Sequence, residues 1–210
     1  MHTILLSQHC REVEATHARA EAMMAVAATH GFVHRVGHGR LLRGWALAMR
    51  GDAVAGVTQI HQGLAVSHDE GLNLFRPYFL ALLAEASGQA GQPEAGLQAL
   101  AEALTLVAAT EERRWEAELY RLKGALLLQL PLPEVPQAEA CLQQALDIAR
   151  GQQAKTLELR AALCLSRLWQ QQGKREAAQQ VLAPVYGWFT EGVDTADLQE
   201  AKALLEALGG

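Results

Sequence analysis

Three histidines, His30, His34 and His38, are spaced by four residues. On a helix this would put three imidazoles on one face, the convergence a transition metal needs. All eight histidines lie in the first third of the chain. Yet Gly31, Gly37 and Gly39 interrupt the segment and no carboxylate or cysteine accompanies it, so no metal is expected. A second set consists of Arg121, Arg160 and Arg167, whose guanidinium groups suit carboxylates on a partner. With them go Glu85 and Glu118, His38 and Leu41 as further groove positions, and Trp45 and Tyr78 as apolar anchors for a bound peptide. Glu118 with Arg121 also reads as an ordinary pair on a solvated face, worth under about 1 kcal/mol.

A third set is aromatic: Tyr186, Trp188 and Phe189. It reads either as packing beneath a terminal helix or as the seam of a homodimer at the C-terminal end. Motifs for catalysis do not stand out. The sequence has no H-E-x-x-H, no paired carboxylates and no Ser-His-Asp order, and no G-x-x-x-x-G-K-[ST] phosphate loop. Glu111-Glu112-Arg113-Arg114 reads as a solvated helix start. Catalysis and a bound cofactor are not expected. Cys10, Cys141 and Cys164 are widely spaced without a C-x-x-C, which suggests buried thiols in a reducing cytosol.

Composition indicates what positions these groups. Half of the 210 residues are hydrophobic but only 5% are aromatic. Much of the apolar content is Ala and Leu, both strong helix formers. The net charge of −5 offers no basic stripe for nucleic acid. No apolar run approaches the ~18 residues of a membrane span, and Met1 to Cys10 has no basic n-region or cleavage site. A soluble cytoplasmic chain is the expectation.

The helices repeat. Gly44, Ala84 and Gly124 are 40 residues apart, and Ser166 follows after 42 because the loop at Pro131–Pro136 is two residues longer. Seven positions on come Gly51, Gly91 and Gly173. Further small residues follow at Gly56, Gly96, Ala138 and Ala178, and then at Gly63, Ala103, Ala145 and Val185. Small residues two turns apart on one face let neighbouring helices approach. The pattern has the small-residue spacing of the tetratricopeptide (TPR) repeat, lengthened from 34 to 40 residues, about 9 Å more helix per pair at ~1.5 Å per residue.

The expected fold is therefore all-α, an α-solenoid of antiparallel helix pairs winding as a right-handed superhelix of about ten helices. The spacing predicts helices near 10–29, 36–50, 53–68, 75–90, 93–109, 112–130, 135–151, 155–172, 175–190 and 195–208. These group into one domain over 1–210. It has a partial repeat at 10–30, pairs at 36–69, 75–110, 112–151 and 155–191, and a capping helix. Pro77 and Pro93 mark first helical turns, and Pro184 should kink or end its helix. On this register His38, Leu41 and Trp45; Tyr78, Ala81 and Glu85; Glu118, Arg121 and Ala125; and Arg160, Leu163 and Arg167 line the inner groove.

From Gly44 to Leu208 the chain also resembles the C-terminal TPR region of large bacterial signalling proteins that carry an adenylate/guanylate cyclase domain and an AAA-type ATPase. The likeness rests on Arg76-Pro77-Tyr78-Phe79-Leu80-Ala81-Leu82-Leu83-Ala84-Glu85, Glu116-Ala117-Glu118-Leu119-Tyr120-Arg121-Leu122-Lys123-Gly124 and Gln153-Ala154-Lys155-Thr156-Leu157-Glu158-Leu159-Arg160. It rests also on Leu168-Trp169-Gln170-Gln171-Gln172-Gly173-Lys174 and Pro184-Val185-Tyr186-Gly187-Trp188-Phe189-Thr190-Glu191-Gly192. The resemblance implies a fragment or stand-alone relative of the protein-binding or sensory end, without catalytic residues. The expected function is a protein-interaction or scaffolding module of a cytoplasmic signalling system, binding a protein or peptide in the groove. The alternative is a ligand-sensing domain regulating a linked cyclase/ATPase or transcriptional effector.

Overall fold

The computed structural model describes residues 2–69 and 75–209. Among them are eleven helices: α1 (His2–His9), α2 (Val13–Thr29), α3 (Val33–Met49), α4 (Ala53–Asp69), α5 (Arg76–Gln89), α6 (Pro93–Thr110), α7 (Glu116–Leu127), α8 (Val135–Gly151), α9 (Lys155–Gln171), α10 (Arg175–Tyr186) and α11 (Ala196–Gly209). The chain divides into two compact units, Met1–Glu112 and Arg113–Gly210. In the first, α1, α3 and α5 neighbour one another, and each packs on the helix that follows it; in the second, α7, α9 and α11 form the corresponding row, with α8 and α10 as partners.

The small-residue register explains why the pairs close. Leaving aside the turn glycines Gly51, Gly91 and Gly173, the twelve register positions within helices, from Gly44 to Val185, are buried. A Cβ on Gly44 would lie 2.6 Å from the Gly56 carbonyl oxygen, and one on Gly56 would lie 2.5 Å from the Gly44 carbonyl oxygen. A Cβ on Gly124 would meet the Ala138 carbonyl at 3.0 Å. In the fourth copy Ser166 fills the place with a short hydroxyl, which donates to the Ala178 carbonyl at 2.9 Å. The first small residue of each of these pairs thus faces the carbonyl of the second, and helix backbones touch where side chains would otherwise separate them.

The turns share one geometry. At Gly51, Gly91 and Gly173 the chain takes a positive φ. The next N–H reaches back five residues: Asp52 to Leu47, Gln92 to Ser87 and Lys174 to Trp169, at 2.8–3.0 Å. This is the Schellman closure, which satisfies the last helical carbonyls. The same bond recurs after Gly31, Arg11 and Gln153. Arg11, Gly31 and Gly51 are twenty residues apart, as are Gln153 and Gly173, so a single helix and its turn form a half-repeat. Gly71, at the same spacing, lies outside the described residues.

Differences from the sequence-based boundaries have local causes. The helix expected at 10–29 has a partner, α1, which is only eight residues long. Gly31 ends α2 as expected, but Gly37 and Gly39 lie inside α3. A Cβ on Gly37 would sit 2.8 Å from Val66 Cγ1, so that glycine marks a close contact rather than a break. α7 begins at Glu116 instead of 112, after Glu111 takes a left-handed φ of 56° at the end of α6. α10 stops at Tyr186, two residues past Pro184, rather than at 190. Pro77 and Pro93 fall in first turns.

Candidate functional site

Apart from half-buried Glu85, the groove residues of the first unit are turned into its core. Leu41 and Trp45 are 0% and 1% exposed, and Tyr78 and His38 are also buried. The Trp45 indole N–H donates to Glu85 Oε2 at 2.7 Å, joining equivalent positions of adjacent repeats on α3 and α5. The Tyr78 hydroxyl pairs with Gln8 Oε1 of α1 at 2.7 Å, and Gln8 is itself buried. Periodicity identifies the face these side chains share; it does not reveal that α1 supplies a partner to that face. Leu41, Trp45 and Tyr78 are thus core residues of the first unit.

His38 packs against Phe79, with ring centroids 5.2 Å apart, and meets His34 edge-on at 6.4 Å. His30 is the C-cap of α2, not a member of α3. Among the described residues no group of three or more His, Cys, Asp or Glu gathers to hold a metal ion. Burial, then the positive charge of Arg35 and the neighbouring His34, lower the His38 pKa from 6.5 to about 4. Neutral imidazole is thus the folded form. Above pH 6.5 this group adds no pH dependence. Below it the unfolded chain takes up a proton that the folded chain refuses, so stability falls as pH drops towards 4 and levels off beneath. The loss between pH 7.5 and pH 5 is expected to be about 2 kcal/mol. Urea unfolding at those two pH values should show it, and His38→Phe should remove that part of the difference.

The second unit holds the charged candidates together. Arg121 makes two hydrogen bonds to Glu118, at 2.7 and 2.8 Å. Its Nη1 also lies 3.6 Å from Cys164 Sγ. Arg160 Nη1 is 3.9 Å from Glu118 Oε1, and Arg160 Nε donates to Asp197 Oδ2 at 2.7 Å. Arg167 pairs with Glu200 at 2.7 Å, and its side chain remains 48% exposed. The result is a row of alternating charges across α7, α9 and α11. Arg160 and Asp197 are buried, and Glu118 and Arg121 are half-buried. Asp197 and Glu200 were not among the sequence candidates. The signal that points to them is charge complementarity between α9 and the terminal helix.

The terminal aromatics separate. Tyr186 and Phe189 pack against the core of the second unit, whereas Trp188 is 58% exposed. Glu139, on α8, is held below the usual carboxylate range chiefly by the Trp169 indole N–H, which donates to it at 2.7 Å. No helix among the described residues is long and apolar enough to cross a membrane.

The chain is similar in structure to a Podosopora anserina protein named for kinesin light chain and for its nearly identical TPR-like repeats. The match has a TM-score of 0.58 at 16% identity and covers 98% of this chain and 93% of that one. A single-substitution form under the same description matches with a TM-score of 0.60 at 18% identity, over 89% of this chain and 91% of that one. No family model matches the chain, and no curated protein matches it in sequence. The fold is an all-α solenoid of the TPR-like kind.

Proposed function

We propose that the chain is a non-catalytic protein-interaction module and that a protein or peptide partner binds along the α7–α9–α11 row. The observation that carries this reading is the charge row itself. Glu118, Arg121, Arg160 and Arg167 share one face of two adjacent helices, and α11 continues it with Asp197 and Glu200. Arg167 and Glu200 at its margin are accessible enough to exchange their mutual contact for a partner's charges. Exposed pairs of this kind are worth at most about 1 kcal/mol, so exchanging one costs little. TPR-like folds commonly present such faces to other proteins, which is an argument by analogy of fold. On this reading the setting is a cytoplasmic bacterial signalling system, with a cyclase/ATPase-type effector linked to the module.

The test is affinity capture from the native cell with the wild-type chain and with Arg121→Ala/Arg167→Ala. Partners held by the wild type should be lost by the double variant while its circular dichroism stays unchanged. Capture of the same partners in equal amount by both proteins would show that the row does not bind them.

A further inference from the structure

A recess of about 510 Å³ in the second unit is lined by Arg150, Gln153, Lys155 and Trp188. It lies at the turn between α8 and α9, where Gln153 holds a left-handed φ of 55°. Its two cations are fixed by one carboxylate. Glu158 is 4% exposed; it accepts from Arg150 Nε at 3.1 Å and from Lys155 Nζ at 2.7 Å. The Lys155 ammonium also stands 5.8 Å from the Trp188 ring centroid. Burial alone would raise the Glu158 pKa, but the hydrogen bonds from Lys155 and Arg150 outweigh it and the group titrates low. The carboxylate is therefore charged, and both cations are held in place before any ligand arrives.

Donors remain after this pairing. Arg150 spends only Nε on Glu158, and its two terminal nitrogens form no hydrogen bond among the described residues. Lys155 spends one of its three ammonium hydrogens. Trp188 offers an exposed indole beside them. Two cations against one carboxylate leave a single net positive charge, in a chain whose net charge is −5.

We propose that this recess binds a carboxylate next to an aromatic ring on a peptide, with the carboxylate on the Arg150 fork and Lys155 and the ring against Trp188. The planar fork of Arg matches a carboxylate with two parallel bonds. Aromatic rings pair favourably with an indole edge or face. A single net charge suits a carboxylate better than a phosphate ester, whose second charge would face Glu158. This site is separate from the α7–α9–α11 row, so Arg121→Ala/Arg167→Ala leaves it intact and the two readings fail independently.

The test uses the full chain and follows the Trp188 indole N–H by NMR, assigned by its disappearance in Trp188→Phe. The probes are N-acetyl-Gly-Phe with a free terminal carboxylate, the same dipeptide as its amide, N-acetyl-Asp-Phe amide, and AMP. At least one of the two acids should give a saturable shift at millimolar concentration. The one that binds tells whether the carboxylate comes from a chain end or an acidic side chain. Removing the carboxylate, or substituting Arg150→Gln, should weaken binding about tenfold. Both altered side chains are well exposed, and an unchanged circular dichroism spectrum confirms the fold. The proposal is overturned if neither acid gives a saturable shift, if the amide binds as well as the acid, if Arg150→Gln binds equally well, or if AMP binds tighter than both acids.

Discussion

Asp197→Ala should lower the stability of the second unit by about 3–4 kcal/mol, the cost of leaving a buried charge without its partner. Arg160 and Asp197 are both nearly inaccessible, and their 2.7 Å contact joins α9 to the first turn of α11. Glu118, 3.9 Å from Arg160, recovers only part of the loss, since it is already engaged by Arg121. Asp197 also sits at the positive end of the α11 dipole, which adds a smaller favourable contribution. Arg160→Met/Asp197→Leu should lose much less than the sum of the two single substitutions, because paired replacement leaves no stranded charge. Urea unfolding of the wild type, Asp197→Ala, Arg160→Met, Asp197→Leu and the double variant measures this directly. Hydrogen exchange should show α11 opening first in Asp197→Ala. Equal, additive losses would mean that the ion pair does not hold α11.

Gly56→Ala is the second large effect, expected to destabilise the first unit by about 3 kcal/mol. In an exposed helix the same change stabilises by about 1 kcal/mol. Here the new methyl would stand 2.5 Å from the Gly44 carbonyl and 2.9 Å from Ala48. The obstacle is backbone, which cannot rotate away, so α3 and α4 must separate and lose contact along their length. Gly151→Ala is the control. It ends α8, and a Cβ there meets nothing within 4 Å, so its stability should stay level or rise slightly. Thermal melts of both variants decide the matter; a stabilised Gly56→Ala would refute the backbone contact.

That glycine was legible because close approach of two helices restricts residue type wherever it occurs. Gly44, Gly56 and Gly124 could be placed from spacing alone for this reason, as could the first-turn prolines Pro77 and Pro93. α1 was not legible: His2–His9 is short, and its closing Arg11 lacks the glycine that marks the equivalent turns at Gly31 and Gly51. Spacing also assigned Trp45 and Tyr78 to one inner face, and both side chains are buried. What it lacked was the tertiary contact, since Gln8 lies seventy residues from Tyr78. For Arg160 and Arg167 the acidic partners lay within the same chain. A charged row in a repeat protein is satisfied first by its neighbours and only then by a ligand, so charge alone did not separate the two roles.

The most direct test of the binding reading leaves the charge row in place. A photo-crosslinking side chain is introduced at Ala203, exposed on α11 one turn from Glu200 at the margin of the row, and in a second protein at Gln144, exposed on α8. Both are irradiated in the native cell. Adducts to a defined set of partner proteins from position 203, absent from position 144, are the predicted result. No adducts from position 203, or the same set from both positions, would contradict it.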